Sequence, residues 1–133
     1  MAETPKQDKP PSRRLTIFVP EGNREFDAIP VELHDRWTVR MLEFCTQQFG
    51  GATAYGRGIG LWLQGKKQKS KAHWDRITVI ESWVSPEVDL DELIDTVTRK
   101  LQPMRRALKQ EEVGFTVDGR FYSAKKLKRR RKH

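Results

Sequence analysis

The sequence has one cysteine, no long apolar segment and no acidic residue in its last nine positions. A single cysteine excludes an internal disulfide and cannot hold a structural zinc ion by itself. No apolar run approaches the ~18 residues that a membrane-spanning helix needs, and the N-terminal residues lack the apolar core of a secretory signal. These absences predict a cytoplasmic protein. Its 133 residues suffice for one core but not for two, so we expect one domain.

Metal-ligand spacing is also missing from the three histidines, His34, His73 and His133. His34 stands beside Asp35 at a predicted helix start and is expected to be exposed. Cys45 falls on the apolar side of the same helix, where a cysteine acts as a small, inert hydrophobic residue. The sequence therefore predicts no metal, no cofactor and no catalytic residue.

The positive charge is concentrated at the C-terminus. The net charge is +8, and removing the seven cations of residues 125–133 leaves +1 for residues 1–124. A dense cationic run repels itself and cannot form a core, and such runs are typical of segments that bind polyanions. We therefore predict that this tail binds DNA or RNA; an acidic protein, a membrane surface, and a targeting or solubilising role are the alternatives. The predicted contact residues are Lys125, Lys126, Lys128, Arg129, Arg130, Arg131 and Lys132.

Composition divides the chain into three segments. Residues 1–14 are rich in proline and polar residues and are expected to form a disordered arm. Residues 15–124 are predicted to form a single α+β domain, and residues 125–133 form the polybasic tail.

Two helices are predicted within the domain. The first begins after Pro30, which suits a first helical turn, and ends at Gly50, because glycine tolerates the left-handed conformation of a helix end. The second spans about 89–109, with acids at its start and bases at its end, as the helix dipole favours. Pro103 is expected to kink or divide it.

Strands are predicted where β-branched and aromatic residues cluster between turn signals. These segments are 15–19, 59–63, 76–84 and 113–117, and Asp118-Gly119 is a tight-turn signal after the last of them. The order β-α-β-β-α-β predicts a ferredoxin-like fold, with an antiparallel sheet and two helices on one of its faces.

Glycines recur in the segment from Tyr55 to Gly60. A phosphate-binding loop needs a strand before its glycines and a helix N-terminus after them. Here a helix precedes the glycines and a strand follows, so we interpret the segment as the start of the second strand.

Glu81 lies in the clearest predicted strand. Alternation places it on one face with Ile77, Val79 and Trp83, and Trp83 is interpreted as a core residue rather than as a platform for base stacking. If this face contacts the helices, the carboxylate needs a partner, because an unpaired buried charge is costly. The candidate partners are Arg36, Arg40, Arg57 and Tyr55. Glu81 is then either a structural residue, in an ion pair or on the open sheet face, or a ligand-binding or catalytic carboxylate.

Short motifs resemble a family of small bacterial proteins that carries a domain of unknown function. The residues concerned are Gly50 to Thr53, the Gly58-x-Gly60-x-Trp62 segment, the strand from Asp75 to Trp83, and Lys109 to Val113. The resemblance covers roughly residues 15–118 and excludes the tail. It implies the predicted fold and a bacterial origin, and it implies no activity.

The segregation of charge between domain and tail favours a non-enzymatic accessory module. Its domain would bind a protein partner or a second copy, and its tail would bind nucleic acid without sequence readout. Such a protein would be cytoplasmic, and nucleoid-associated if it binds DNA. One alternative is a structural oligomer subunit. The other is a small enzyme or ligand-binding protein with a pocket between the first helix and the sheet, near Tyr55, Arg57, Trp62, Asp75 and Glu81.

Overall fold

The computed structural model describes residues 12–22, 28–64 and 71–126, with the backbone alone for residues 57–64 and 71–75. These ranges contain two helices and five strands. In chain order they are β1 (Arg13–Pro20), α1 (Val31–Phe49), β2 (Thr53–Gln64), β3 (Lys71–Val84), α2 (Leu90–Ala107), β4 (Glu112–Val117) and β5 (Arg120–Lys125). Of the predicted disordered arm, residues 1–11 lie outside the description, as do residues 127–133 of the tail.

The five strands form one antiparallel sheet in the order β2-β3-β1-β4-β5. The predicted α+β class and ferredoxin-like order are confirmed. The fifth strand is added by the hairpin β4–β5, whose two turn residues, Asp118 and Gly119, have φ values of 50° and 82°. Positive φ at both positions matches the twist of the flanking strands, so the predicted tight turn is confirmed. Lys125, placed in the tail by the sequence, belongs to β5 instead.

Local signals set the ends of both helices. α1 begins directly after Pro30 and ends at Gly50, whose φ is 97°. α2 begins after Asp89, whose side chain accepts a hydrogen bond from the Glu92 amide at 3.0 Å, as an N-cap does. Pro103 does not divide α2, which continues to Ala107.

The core lies between the helices and one face of the sheet. Its buried helix residues include Trp37, Met41, Val97 and Leu101. Three others, Leu33, Leu90 and Ile94, pack against its edge. The sheet contributes Leu15, Ile17, Val19, Ile80, Val84, Val113, Phe115, Val117 and Ala124.

The interpretation of Trp83 as a core residue is wrong, because the other set of alternating β3 side chains contacts the helices. Ile80, Ser82 and Val84 are buried on the helix side, whereas Trp83 is 56% exposed and lies on the other face with Glu81. Both alternating sets of β3 contain apolar residues, so period-two alternation does not determine which set meets the helices. We call the face away from the helices the outer face; it carries Thr16, Phe18, Tyr55, Glu81 and Trp83.

Substitution of Gly50 tests whether its left-handed backbone conformation ends α1. We expect Gly50→Ala to lower the free energy of unfolding by about 1 kcal/mol, because a Cβ disfavours the left-handed region. Gly51→Ala is the matched control: Gly51 lies outside that region and has no atom within 4 Å of an added Cβ. Urea denaturation measures both changes. Equal losses would show that the conformation of Gly50 is not what ends the helix.

Candidate functional site

Glu81 is the centre of a polar cluster on the outer face. It is 8% exposed, and its Oε2 accepts a hydrogen bond from Arg14 Nε at 2.6 Å and an ion-pair contact from the same guanidinium. The Tyr55 hydroxyl donates to Oε1 at 3.3 Å. The strand register explains why Arg14 and Tyr55 contact Glu81. Thr16 and Thr53 lie directly opposite Glu81 on the two neighbouring strands, so Arg14 and Tyr55 are its diagonal neighbours.

The partners of Glu81 were predicted only in part. Tyr55 was among the candidates, whereas Arg14 had been assigned to the disordered arm; β1 in fact begins at Arg13. Arg36 and Arg40 are exposed on α1, which packs on the opposite face, so neither is a partner. If the first strand had been predicted to begin at Arg13 rather than at Leu15, Arg14 would have been among the candidate partners of Glu81.

The other three predicted pocket residues lie in segments of β2 and β3 of which only the backbone is described. Arg57 lies within the glycine-rich segment, at a register shift between Tyr55 and Gly58, and this segment is part of β2 as predicted. Trp62 is opposite His73, and Asp75 is opposite Gly60. All three are therefore placed by backbone position alone.

A cavity of about 360 Å³ lies beside Glu81. We call it the outer-face cavity. Its wall is built by the turn that follows α1 and by the adjoining parts of β2 and β3. The lining residues are Phe49, Gly50, Gly51, Ala52, Thr53, Tyr55, Glu81, Ser82 and Trp83. Ser82 donates a hydrogen bond to the Gly51 carbonyl at 2.7 Å, which ties the turn to β3.

A larger cavity of about 670 Å³ lies between the start of α1 and strands β2 and β3. We call it the α1 cavity. Tyr55 borders it as well as the outer-face cavity. His34 lines it and is only 6% exposed, so the prediction that His34 is exposed is wrong. The missed signal is spacing: His34 is three residues before Trp37 and seven before Met41, on the same helical stripe as these core residues.

Cys45 is buried in α1, and burial raises the pKa of its thiol from the ordinary 9.0 to about 12. The reactive thiolate is therefore scarce at neutral pH. Because the thiol pKa is higher in the folded than in the unfolded protein, the contribution of Cys45 to the free energy of unfolding is fully present below pH 9.0. This contribution is lost as the pH rises towards 12, since the unfolded thiol ionises first.

For the folded protein we expect almost no reaction of Cys45 with a disulfide reagent at about pH 8. Addition of denaturant should expose the thiol and give one equivalent of reaction. Rapid labelling of the native protein would contradict this burial.

The described part of the basic tail is short. Lys125 Nζ lies 3.8 Å from the Glu112 carboxylate across the β4–β5 hairpin, and Lys126 is exposed. The other predicted contacts, Lys128, Arg129, Arg130, Arg131 and Lys132, lie outside the described residues. Within the ranges described, no helix is long and apolar enough to cross a membrane, and no group of three potential ligand residues could hold a metal ion.

The fold has counterparts among solved structures. A phage SAM lyase in complex with S-methyl-5′-thioadenosine matches with a TM-score of 0.61 and 13% identity, covering 92% of this chain and 97% of that chain. A phage SAM lyase in its apo state matches with a TM-score of 0.54 and 13% identity, covering 96% of this chain and 100% of that one. At this identity the likeness establishes a shared fold. No protein-family model matches the chain, and no curated protein matches it, so the family resemblance stays a prediction.

These structures contradict the leading hypothesis of a non-enzymatic module that binds nucleic acid through its tail. Both matched structures are of an enzyme and cover 92% and 96% of this chain, so the domain has a fold that an enzyme also uses. The hypothesis was wrong because it relied on the charge of the tail. That charge indicates attraction to polyanions, but it does not indicate what the folded domain binds.

Proposed function

We propose that this chain is an enzyme that cleaves a carbon–sulfur bond in S-adenosylmethionine (SAM) or a closely related sulfonium nucleoside. The observation that carries the proposal is the Glu81 carboxylate, which is almost buried yet lines a cavity, on a fold that a SAM lyase shares. Buried carboxylates in clefts are candidates for binding and proton transfer.

Cleavage of a sulfonium places modest demands on a protein. When the C–S bond breaks, its electron pair passes to sulfur, which leaves as a neutral thioether and needs no proton. In an elimination, a neighbouring C–H bond also breaks; its electron pair forms the new C=C bond, and a base takes the proton. Glu81 is the base in this proposal, and its negative charge also favours the cationic sulfonium of the substrate.

The neighbours of Glu81 suit that role. Arg14 holds one carboxylate oxygen through two guanidinium nitrogens, which fixes its orientation. The other oxygen has only the longer bond from the Tyr55 hydroxyl, at 3.3 Å, among its described contacts. Trp83 lines the same cavity and is 56% exposed, so it offers an aromatic surface to a cation or to adenine.

Incubation of the purified chain with SAM tests the proposal. We expect S-methyl-5′-thioadenosine to accumulate faster than in buffer alone, as measured by chromatography. Heat-unfolded protein is the control, because it has the same composition and charge without the site. Accumulation at the buffer rate would overturn the proposal.

A further inference from the structure

Trp83 is an exposed aromatic side chain next to a nearly buried carboxylate. It is 56% exposed on the outer face and lies two residues from Glu81 on the same strand, so their Cα atoms are about 7 Å apart. Both side chains line the outer-face cavity. The cation–ring contacts among the described residues involve Trp37 and Phe44, so no described cation covers the Trp83 ring.

The Glu81 carboxylate already accepts hydrogen bonds from the protein at both of its oxygens. Arg14 donates to Oε2 and does not line the cavity, and the Tyr55 hydroxyl donates to Oε1. An ammonium group with N–H donors needs acceptors when it leaves water, whereas a methylated onium group, a sulfonium or a quaternary ammonium, has positive charge and no donor. A cation of the second kind can therefore approach Oε1 without replacing either bond.

The wall of the cavity beside Trp83 leaves room for such a group. Gly50 and Gly51 line it without side chains, and neither has an atom within 4 Å of an added Cβ. The Ser82 hydroxyl is used by the Gly51 carbonyl, at 2.7 Å. The volume of about 360 Å³ lies at the small end of the range for small-molecule sites, roughly 300–1,000 Å³.

We propose that the outer-face cavity binds a methylated onium group between the Glu81 carboxylate and the face of the Trp83 ring. The face of an aromatic ring carries negative charge and attracts a cation, as in the recognition of quaternary ammonium ligands. The choice of a sulfonium as the natural ligand rests on the proposed function, since the reacting sulfur of SAM is a methylated sulfonium. Trp83 is then the residue that recognises the charge of the substrate, and adenosine is not required for binding.

Titration of the full chain with choline and with dimethylbutanol, the uncharged carbon analogue of choline, tests this inference. Choline should bind at least about tenfold more tightly, because only its charge attracts the ring and the carboxylate. Trimethylsulfonium, the smallest sulfonium with the same methyl groups, should bind within about threefold of choline. Ligand-observed NMR of the methyl signals measures all three affinities.

Substitution of Trp83 tests the role of its ring. Trp83→Leu should weaken choline binding at least about tenfold, since it keeps an apolar side chain and removes the ring. Trp83→Phe should retain most of the affinity. Phe121→Leu is the matched control: Phe121 is 49% exposed on the same face but lines a different cavity, so its replacement should leave the affinity within about twofold of the wild type.

The indole N–H resonance of Trp83 locates the site in the wild-type protein, so the test does not depend on a variant that folds. The chain has four tryptophans, and the signal that is missing in Trp83→Phe belongs to Trp83. Choline should shift this signal. An unshifted signal, equal affinity for choline and dimethylbutanol, or full affinity in folded Trp83→Leu would overturn the inference.

Failure of this inference can be distinguished from failure of the proposed function. If SAM is cleaved while the onium ligands bind no better than dimethylbutanol, the proposed function stands and only the recognition of charge by Trp83 falls. If choline and trimethylsulfonium bind as expected but SAM is not cleaved, the cavity is an onium-binding site and the proposed activity falls.

Discussion

We expect Glu81→Gln to lower the rate of S-methyl-5′-thioadenosine release from SAM by about 10²-fold or more, the usual contribution of a proton-transfer group. Glutamine keeps the size of the side chain and its bond from Tyr55, but it cannot accept a proton or attract a sulfonium by charge. The initial rate at saturating SAM measures the effect.

Glu112→Gln is the matched control for this variant. Glu112 is also a strand carboxylate with a cationic neighbour, Lys125, and a hydroxyl donor, Ser123, but it lies on β4 outside both cavities. Its replacement should leave the rate within about twofold of the wild type. A comparable loss in both variants, or an unchanged rate in Glu81→Gln, would contradict the role assigned to Glu81.

The free energy of unfolding of Glu81→Gln distinguishes a catalytic role of Glu81 from a purely structural one. The Arg14 side chain is 57% exposed, so it stays solvated when the carboxylate is neutralised, and the loss of such a pair costs about 1 kcal/mol or less. A fully buried pair would cost roughly 3–5 kcal/mol. Urea denaturation of Glu81→Gln should therefore show a small change beside the large loss of rate.

The largest effect on folding is expected for Phe115→Ala, with a loss of about 3–5 kcal/mol in the free energy of unfolding. Phe115 is fully buried in the centre of the core and stacks on Tyr122 with ring centroids 5.6 Å apart. Its removal leaves a cavity that the sheet and α2 cannot close without losing other contacts.

Phe121→Ala is the control, because it removes the same side chain from the other strand of the hairpin. Phe121 is 49% exposed on the outer face, where its ring covers Gly114, so we expect a loss of about 1 kcal/mol. Chemical denaturation of both variants gives the comparison. Similar losses would mean that the core does not lie between the helices and the sheet face that carries Phe115.

Much of the fold follows from local signals. Pro30 and Gly50 bound α1, Asp89 caps α2, and Asp118-Gly119 forms the hairpin turn; each of these depends on backbone conformation within a few residues. Such signals gave the order of the elements, and the ferredoxin-like arrangement follows from that order.

The candidate site was only partly predictable, because its contacts are not local. Tyr55 and Glu81 were identified as a pocket pair, but the face of β3 that carries Glu81 is decided by packing against the helices. His34 meets Pro20 and Thr78, which lie 14 and 44 residues away in the chain. No periodicity in the sequence encodes the hydrogen bonds that connect such distant residues.

The number of catalytic turnovers per chain, measured with the protein limiting, tests the proposed activity most directly. SAM is supplied in large excess over wild-type chain, and S-methyl-5′-thioadenosine is quantified until release stops. We expect many product molecules per chain beyond the buffer background, because an enzyme releases its product and acts again. One product molecule per chain or fewer would contradict the proposal that this domain is a SAM-cleaving enzyme.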